Sequence, residues 1–257
     1  MNDSDPDRRQ SQSVGRALSV LDLFSAEQPV WSAEQICIAL SCTQPTGYRY
    51  IRELVSAGLL YRVSGGFALG ARIILLDYVM RQADPLLHVA SAIMCKLAQQ
   101  TGCDAVLTAV YGDQILDVHR ESGGSPLALA YGRGRPRPLF VGAAPKVIVA
   151  AQPAAWVRAL YDAHTHEAAA AGMGADWNEY RAKLRAIRKQ GFYISRGELE
   201  PALCAIAAPV PPSTNQDSAA AVAVVTSTER FGLLNTDLLA TLVRQAARTI
   251  TEELKTR

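Results

Sequence analysis

The sequence lacks any hydrophobic run long enough to cross a membrane. Its longest apolar stretches, such as Ala219 to Val225, fall far short of the roughly 20 residues that span a bilayer. The N-terminal residues are acidic and then polar, with neither an apolar centre nor a small-residue cleavage site. We therefore expect a flexible arm over residues 1–12 rather than a signal peptide, and a cytoplasmic protein without a membrane partner.

Cysteine is also scarce, and its spacing excludes two structural classes. The five cysteines are an odd number at irregular intervals, without the closely spaced pairs of a zinc module or a disulfide framework. His164 and His166 are near each other but lie in an Ala-rich segment, so we interpret them as a solvated loop pair. We expect no metal and no cofactor, and we expect reduced, mostly buried thiols at Cys37, Cys42, Cys95, Cys103 and Cys204.

Neither sign of charge dominates the chain, whose formal net charge is +2. With 49% hydrophobic and 19% charged residues the composition is that of a globular protein, and 257 residues suffice for two domains. Charge is nevertheless uneven, because between residues 44 and 72 only Glu53 opposes four arginines. A local basic face of this kind suits contact with phosphate, and it consists of Arg49, Arg52, Arg62 and Arg72.

Periodicity predicts two helices at the start of the first domain. Apolar residues recur at three- and four-residue steps from Val14 to Phe24, with Ser13 as the predicted N-cap, so we predict one amphipathic helix there. Ser32 followed by Gln35 is a capping-box pattern. It predicts a second, short helix that runs through Ile36 to Leu40.

A third helix and a hairpin complete the first domain. Thr43 and Pro45 are typical of a helix start and Gly58 of its end, and we place Ile51, Leu54 and Val55 on its buried face. β-type runs at Leu59–Val63 and Phe67–Leu69 flank Ser64-Gly65-Gly66 and predict a wing. Residues 13–71 therefore predict a winged helix-turn-helix, in which the third helix enters the major groove of double-stranded DNA.

Side chains near the front of the third helix can donate hydrogen bonds to bases and phosphates. Arginine pairs bidentately with guanine and glutamine with adenine, whereas hydroxyls and an arginine on the wing are suited to phosphate. A small helical module that binds a protein partner through a solvated arginine face is the alternative interpretation. The candidate DNA-binding residues are Gln44, Pro45, Thr46, Tyr48, Arg49, Arg52 and Arg62.

The remainder of the chain alternates between helical and strand patterns. A linker helix is predicted over residues 72–84, carrying Ile73, Leu76 and Val79, and it is suited to pairing two subunits. The second domain, residues 85–257, is predicted as an antiparallel sheet flanked by helices, so the fold class is α+β. Helices are predicted at Leu86–Gln100, around Lys146–Ala163, at Asp176–Gln190 and at Asn235–Lys255, and strands at Ala105–Tyr111, Gln114–Arg120, Leu127–Tyr131, Phe192–Ser195, Leu203–Val210 and Ala219–Thr226.

Ordered motifs along the chain resemble the IclR family of bacterial transcription regulators. The first domain has Ser-Val-Gly-Arg-Ala-Leu-Ser-Val-Leu at 13–21, Leu-Val-Ser-Ala-Gly-Leu-Leu at 54–60 and Phe-Ala-Leu-Gly at 67–70. The second has Pro-Leu at 138–139, Gly-Ala-Ala-Pro-Lys at 142–146, Gly-Phe at 191–192 and Ile-Ala-Ala-Pro-Val at 206–210. The resemblance, over about Ser13 to Glu253, implies a DNA-binding regulator with a GAF-like effector domain, assembled as a homodimer or tetramer on a palindromic operator.

The resemblance also implies a ligand pocket, which here is mostly apolar. Arg137 stands where the family commonly has leucine, and because a guanidinium can hold a carboxylate through two hydrogen bonds, we hypothesise an organic-acid effector with an apolar or aromatic body. The alternative is that Arg133, Arg135 and Arg137 form a solvated basic loop. The effector-binding residues implied by the resemblance are Leu129, Arg137, Ala143, Ala144, Ser195, Leu203, Ala205, Ala223 and Val225.

Two other functions stay open at this stage. A regulator that has lost its ligand would work without an effector. A GAF-fold thiol enzyme would use a reactive cysteine in the second domain, but no activating neighbour, nucleophile elbow or phosphate loop is evident from the spacing. We therefore expect no catalysis.

Overall fold

The computed structural model describes residues 13–112, 114–124, 133–212 and 219–256. The chain divides into two compact units, Met1–Ala83 and Asp84–Arg257. The expected flexible arm, the predicted strand Leu127–Tyr131 and the candidate residue Leu129 lie outside the described residues.

The first helix is shorter than predicted. Helix α1 covers residues 13–18, and after a turn the chain forms a 3₁₀ segment at Leu21–Leu23, so the prediction of one helix to Phe24 was wrong. The Val20 N–H donates to the Ala17 carbonyl three residues earlier, the tighter bonding of a 3₁₀ turn. This change of winding lets the fully buried Val20 side chain reach the core of the unit.

Helix α2 (Ala33–Ala39) and helix α3 (Gln44–Ser56) follow. The capping box is confirmed, because the Ser32 hydroxyl accepts from the Gln35 N–H while the Gln35 side chain accepts from the Ser32 N–H. Ile51 and Leu54 are buried as predicted, but Val55 is exposed, and Tyr50 takes its place in the core. Val55 was misplaced because it lies one residue beyond Leu54, which turns it about 100° away from the buried stripe.

Strands β1 (Leu60–Val63) and β2 (Gly66–Leu69) form the predicted antiparallel wing. The turn is one residue shorter than expected, because Gly66 already pairs with Val63 and leaves only Ser64 and Gly65 between the strands. Gly65 has a φ of 89°, a conformation that glycine adopts without a steric cost. Helix α4 (Ala71–Ala83) matches the helix predicted over residues 72–84 and belongs to the first unit.

The second unit begins with helix α5 (Pro85–Thr101), which is capped by Asp84 and ends at the left-handed Gly102. Strands β3 (Asp104–Tyr111) and β4 (Gln114–Glu121) pair antiparallel. A short strand β5 (Pro136–Arg137), which the sequence patterns did not predict, pairs with β4. It brings Arg137 opposite Ile115 in the sheet.

The helical segment predicted around 146–163 is two helices. Helix α6 (Ala143–Ala151) ends before Pro153, and helix α7 (Ala154–Ala163) starts after it, because proline cannot donate the N–H that a continuous helix needs. Helix α8 (Thr165–Ala170) corrects the loop assignment of His166. Helix α9 (Trp177–Gln190) starts one residue later than predicted, because Asp176 is its N-cap rather than its first residue.

Strands β6 (Tyr193–Arg196), β7 (Leu203–Val210) and β8 (Ala220–Ser227) precede the short helix α10 (Thr228–Phe231) and the long helix α11 (Thr236–Thr256). The sheet has the order β5-β4-β3-β8-β7-β6, and every pair is antiparallel. Helices α5 and α11 pack on one face, and α6 and α9 contribute to a second core on the other face. The predicted α+β fold, with an antiparallel sheet between helical layers, is confirmed.

Candidate DNA interface and effector pocket

The front of α3 presents polar side chains outside the core of the first unit. Gln44, Tyr48, Arg49 and Arg52 are exposed, whereas Tyr50, Ile51 and Leu54 on the opposite side are buried. This separation follows from the 3.6-residue period of the helix. The side chains that can contact DNA are therefore the ones that the core does not use.

Three further candidate DNA-binding residues occupy distinct environments. Pro45 is exposed in the first turn of α3, and Thr46 is half-buried, with its hydroxyl 3.0 Å from that of Thr43. Arg62 is exposed on the wing, and its guanidinium carbon lies 5.8 Å from the centre of the Phe67 ring. A partly stacked guanidinium of this kind is restrained and still able to bind phosphate.

A pocket in the second unit lies against one face of the sheet. It has an empty volume of about 480 Å³, which includes space open to solvent. Alternate residues of adjacent strands point to the same face of a sheet, so Val106 and Thr108 of β3 share this face with Ala223 and Val225 of β8. The N-terminal end of α6 also lines the pocket.

The structure brings eight of the nine expected effector residues to this pocket; the ninth, Leu129, is outside the described residues. Ala143 and Ala144 belong to the first turn of α6 rather than to a free turn, because the helix starts directly after Gly142. The expected residues that line the pocket are Arg137, Ala143, Ala144, Ser195, Leu203, Ala205, Ala223 and Val225.

Arg137 is a buried residue of the pocket wall. Its side chain is 6% exposed and its Nη2 lies 2.8 Å from Oδ2 of Asp117, which is 1% exposed. The Thr108 hydroxyl donates to the other carboxylate oxygen at 2.9 Å. The alternative of a solvated basic loop is therefore wrong for Arg137, whose charge is compensated inside the protein.

The surroundings of the Asp117 carboxyl raise its pKa above the ordinary value. Burial raises its pKa, although the Arg137 guanidinium and the Thr108 hydroxyl act in the opposite direction. Removal from water disfavours the carboxylate more than its two partners favour it. Arg137, which lines the pocket, is thus paired with a carboxylate whose charged form is held at a cost.

A second polar cluster ties the segment between β6 and β7 to α6. The Glu198 carboxylate accepts from the Gly142 N–H at 2.9 Å and from Lys146 Nζ at 2.7 Å, and the Tyr193 hydroxyl donates to it at 3.0 Å. The Lys146 side chain is only 5% exposed. Glu198 therefore supplies both the counter-ion of a buried ammonium and an acceptor at the start of α6.

Sequence reasoning missed several residues of the site. Val106 and Thr108 could have been found from the alternation along β3, since they share the sheet face with the predicted β8 positions. Asp117 also carried a signal, because it is a carboxylate within an apolar strand and needs a buried partner. Glu200, which also lines the pocket, and Glu198 carried none, since they lie in an irregular segment whose direction no periodicity specifies.

Models of two families match the chain. The description "IclR helix-turn-helix domain" applies to residues 13–64 and "Bacterial transcriptional regulator IclR C-terminal" to residues 79–252. Together these ranges contain both the front of α3 and the pocket. No helix within the described residues is long and apolar enough to cross a membrane.

Known proteins with related sequences and structures agree with this match. The HTH-type transcriptional regulator KipR of Bacillus subtilis is 23% identical over 206 residues, which cover 79% of this chain and 81% of that protein. An IclR family transcriptional regulator from Brucella abortus has a TM-score of 0.77 at 19% identity, over 98% of this chain and 95% of its own.

A third relative is an IclR homologue from Microbacterium hydrocarbonoxydans, solved in complex with 4-hydroxybenzoate. Its TM-score is 0.76 at 19% identity, over 95% of this chain and 100% of its own. At such identities the structural likeness shows the shared fold. With a family match over more than half of its length, this chain belongs to the IclR family of bacterial transcriptional regulators and is a DNA-binding regulator.

Proposed function

We propose that this regulator binds a two-fold symmetric operator through α3 and the wing, and that a small organic acid in the pocket changes its affinity for DNA. The proposal of an acidic effector rests on the buried Arg137 guanidinium, which lines an otherwise mainly apolar pocket. An apolar wall with a few polar groups that orient the ligand is the usual form of a small-molecule site. Since it acts on the chromosome, its expected location is the cytoplasm.

Two features of the pocket favour a carboxylate. A guanidinium has five N–H donors in a planar fork, so Arg137 can donate hydrogen bonds to an effector carboxylate while it is paired with Asp117. The first turn of α6 lines the same pocket, and the N-terminal end of a helix favours an anion. Apolar contacts from Val106, Leu203 and Val225 would hold an aliphatic or aromatic body. The aromatic acid bound by the Microbacterium homologue is of this class.

A thermal-shift assay tests the effector. The intact protein is heated with aliphatic and aromatic carboxylic acids and with neutral amides of matched size. A ligand that binds only the folded protein raises the midpoint by mass action. We expect acids to raise it and the amides not to. A shift by neutral compounds alone would contradict the carboxylate, and no shift by any compound would favour a regulator without a ligand.

The variant that tests Arg137 is Arg137→Lys rather than Arg137→Ala. Lysine keeps a positive charge beside Asp117 but loses the planar fork, so the internal charge balance is preserved while two-point recognition is lost. The matched control is Arg158→Lys, because Arg158 forms a surface pair with Asp162 away from the pocket. We expect Arg137→Lys to weaken the response to acids and the control to leave it unchanged.

The DNA interface is tested on duplexes that the protein itself enriches from a random-sequence library. We expect a palindrome whose half-sites are about one helical turn apart. Arg49→Ala should relax base preference at one position of each half-site, at a cost of about 1–3 kcal/mol. Arg62→Ala should lower affinity for all sequences and reduce the salt dependence. Unchanged affinity in both variants would contradict the assignment of these residues.

The linker helix supports a homodimer. Helix α4 exposes Ile74, Leu75, Tyr78 and Val79, with 60–73% of each residue accessible. An exposed apolar strip of this kind on a soluble protein marks an interaction site. A symmetric operator calls for two copies of α3, so a second copy of the chain is the proposed partner, and a tetramer would pair two such dimers. Sedimentation equilibrium of the intact protein measures the state, and a monomer at assay concentrations would contradict the proposal.

A further inference from the structure

Two of the five cysteines, Cys37 and Cys42, lie close together where α2 connects to α3. They belong neither to the effector pocket nor to the candidate DNA-binding residues. The Ser41 N–H donates to the Ile38 carbonyl and the Cys42 N–H to the Cys37 carbonyl, both at 3.0 Å. Ser41 has a φ of 48°, in the left-handed region. This pair of bonds around a left-handed residue is the Schellman motif, which ends many helices.

The Schellman motif dictates which side chains meet. It brings the residue two positions beyond the helix cap against the residue three positions before it, a contact that is usually hydrophobic. With Leu40 as the cap of α2, these positions are Cys42 and Cys37. A Cβ built on Gly47 of α3 would lie 2.3 Å from Cys37 Sγ and 3.4 Å from Cys42 Sγ, so both sulfurs lie against the same point of α3.

The environment of the two thiols is unequal. Cys37 is buried, whereas Cys42 is half-buried, and both contribute to the wall of one surface depression together with Ser41 and Gln44. Burial raises the pKa of Cys37, and the neighbouring Cys42 raises it further. An oxidant therefore reaches Cys42 first, and Cys37 is placed behind it as the second thiol.

We propose that Cys37 and Cys42 form a redox-active dithiol whose oxidation to an intramolecular disulfide weakens DNA binding. The oxidant is a hydroperoxide, here hydrogen peroxide. Cys42 sulfur attacks the O–O bond to give a sulfenic acid and one water. Cys37 sulfur then displaces the hydroxyl group, which leaves as a second water with the Cys37 proton. Two thiols and one peroxide thus give one disulfide and two waters.

The disulfide would act on DNA through α3. It draws the two sulfurs to about 2.05 Å, so both must shift at the point where they lie against Gly47 of α3. Helix α3 begins at Gln44, only two residues after Cys42, and its Gly47 packs directly on Cys37. A small displacement there re-aims Gln44 and Tyr48, which the proposed function places on the DNA.

The experiment uses the full chain, treated with hydrogen peroxide, alkylated and mapped by peptide mass. We expect Cys37 and Cys42 to lose alkylation together and to appear as one cross-linked peptide, and a dithiol reductant to restore both. Modification of Cys42 alone, or an oxidation that the reductant does not reverse, would overturn the proposal. Cys95→Ser, at a half-buried cysteine of the second unit, is the matched control and should not alter the pattern.

The regulatory effect is measured on the duplex that the reduced protein enriches from a random library. We expect oxidation to lower affinity roughly tenfold or more, comparable with the loss of one specific base contact, and reduction to recover it. Cys42→Ser should bind this duplex equally with and without peroxide. If the disulfide forms but the affinity for this duplex does not change, the proposed regulatory effect is wrong. If the reduced protein enriched no duplex, the proposed DNA function itself would fail, whereas the thiol mapping would stand.

Discussion

The Arg137 guanidinium and the Asp117 carboxylate form an ion pair inside the effector domain, with Nη2 2.8 Å from Oδ2 and both side chains almost inaccessible. Burying two charges is costly, and the attraction between them offsets that cost only while both partners are present. The pair therefore links the proposed recognition of an acid to the stability of the sheet. A substitution that removes either Arg137 or Asp117 is therefore expected to change both acid binding and stability.

Removing only the cation should destabilise the protein. In Arg137→Ala the Asp117 carboxylate stays buried and loses its ion-pair partner, while the Thr108 hydroxyl and the charge of Arg135 still favour its ionised form. We expect a loss of about 3–5 kcal/mol in the free energy of unfolding. In Arg137→Met with Asp117→Asn, the buried charges are gone and the loss should be smaller. Urea denaturation of the single and double variants measures the coupling. A loss below about 1 kcal/mol in Arg137→Ala would show that the pair does not hold the sheet together.

The Glu198 cluster should respond asymmetrically to substitution. In Glu198→Gln the buried Lys146 ammonium loses its counter-ion, so we expect a loss of about 2–4 kcal/mol. In Lys146→Met the carboxylate, which is 24% exposed, keeps the Gly142 N–H and the Tyr193 hydroxyl as donors, so the loss should be smaller. Thermal melts of the two variants compare the costs. Equal losses, or the reverse order, would contradict the counter-ion role of Glu198.

Much of the fold was predictable because its elements carry local signals. The capping box at Ser32, the proline at Pro85 and the left-handed Gly102 define helix ends by backbone chemistry that acts within a few residues. The strand from Leu203 to Val210 was placed correctly because its length and β-branched or small apolar content are those of a buried strand. Signals of this range require no knowledge of the tertiary structure.

The charged half of the site could not be predicted in the same way. Arg137 and Asp117 are 20 residues apart and meet only because the two-residue strand β5 pairs with β4, and no pattern marks so short a strand. Lys146 and Glu198 meet through a bond that spans 52 residues. Arg137 could be singled out as unusual, but its internal partner depends on pairing between distant segments.

Tyr180 offers a substitution that should stabilise the protein. Its side chain is fully buried, and its hydroxyl has no hydrogen-bond partner among the described residues. Burial, aided by Tyr161, raises its pKa, as expected for a phenol removed from water. We expect Tyr180→Phe to increase the free energy of unfolding by about 1 kcal/mol, because the unpaired hydroxyl is lost while the ring packing stays. A destabilised Tyr180→Phe would reveal a partner for the hydroxyl.

Gly47 should tolerate no side chain, although it lies within a helix. An added Cβ would lie 2.3 Å from Cys37 Sγ, well inside van der Waals contact, so that sulfur would have to rotate away or α2 and α3 would have to separate. We expect Gly47→Ala to lower stability by about 1–3 kcal/mol through overpacking, in spite of the better helix propensity of alanine. Gly15→Ala is the matched control, because nothing lies within 4 Å of a Cβ there. It should be neutral or stabilising by up to about 1 kcal/mol.

A second substitution separates the steric cause from any other effect of Gly47→Ala. Removing the obstructing sulfur in Cys37→Ala leaves the Cys37 Cβ at 3.6 Å, an ordinary contact. The double variant, Gly47→Ala with Cys37→Ala, should therefore lose less stability than the two single variants lose in total. We expect this difference, the coupling energy, to be about 1 kcal/mol or more. Denaturation of the four proteins gives this coupling directly. Additive losses would mean that the sulfur is not what excludes a side chain at Gly47, and would weaken the close contact of Cys37 with α3 on which the redox proposal depends.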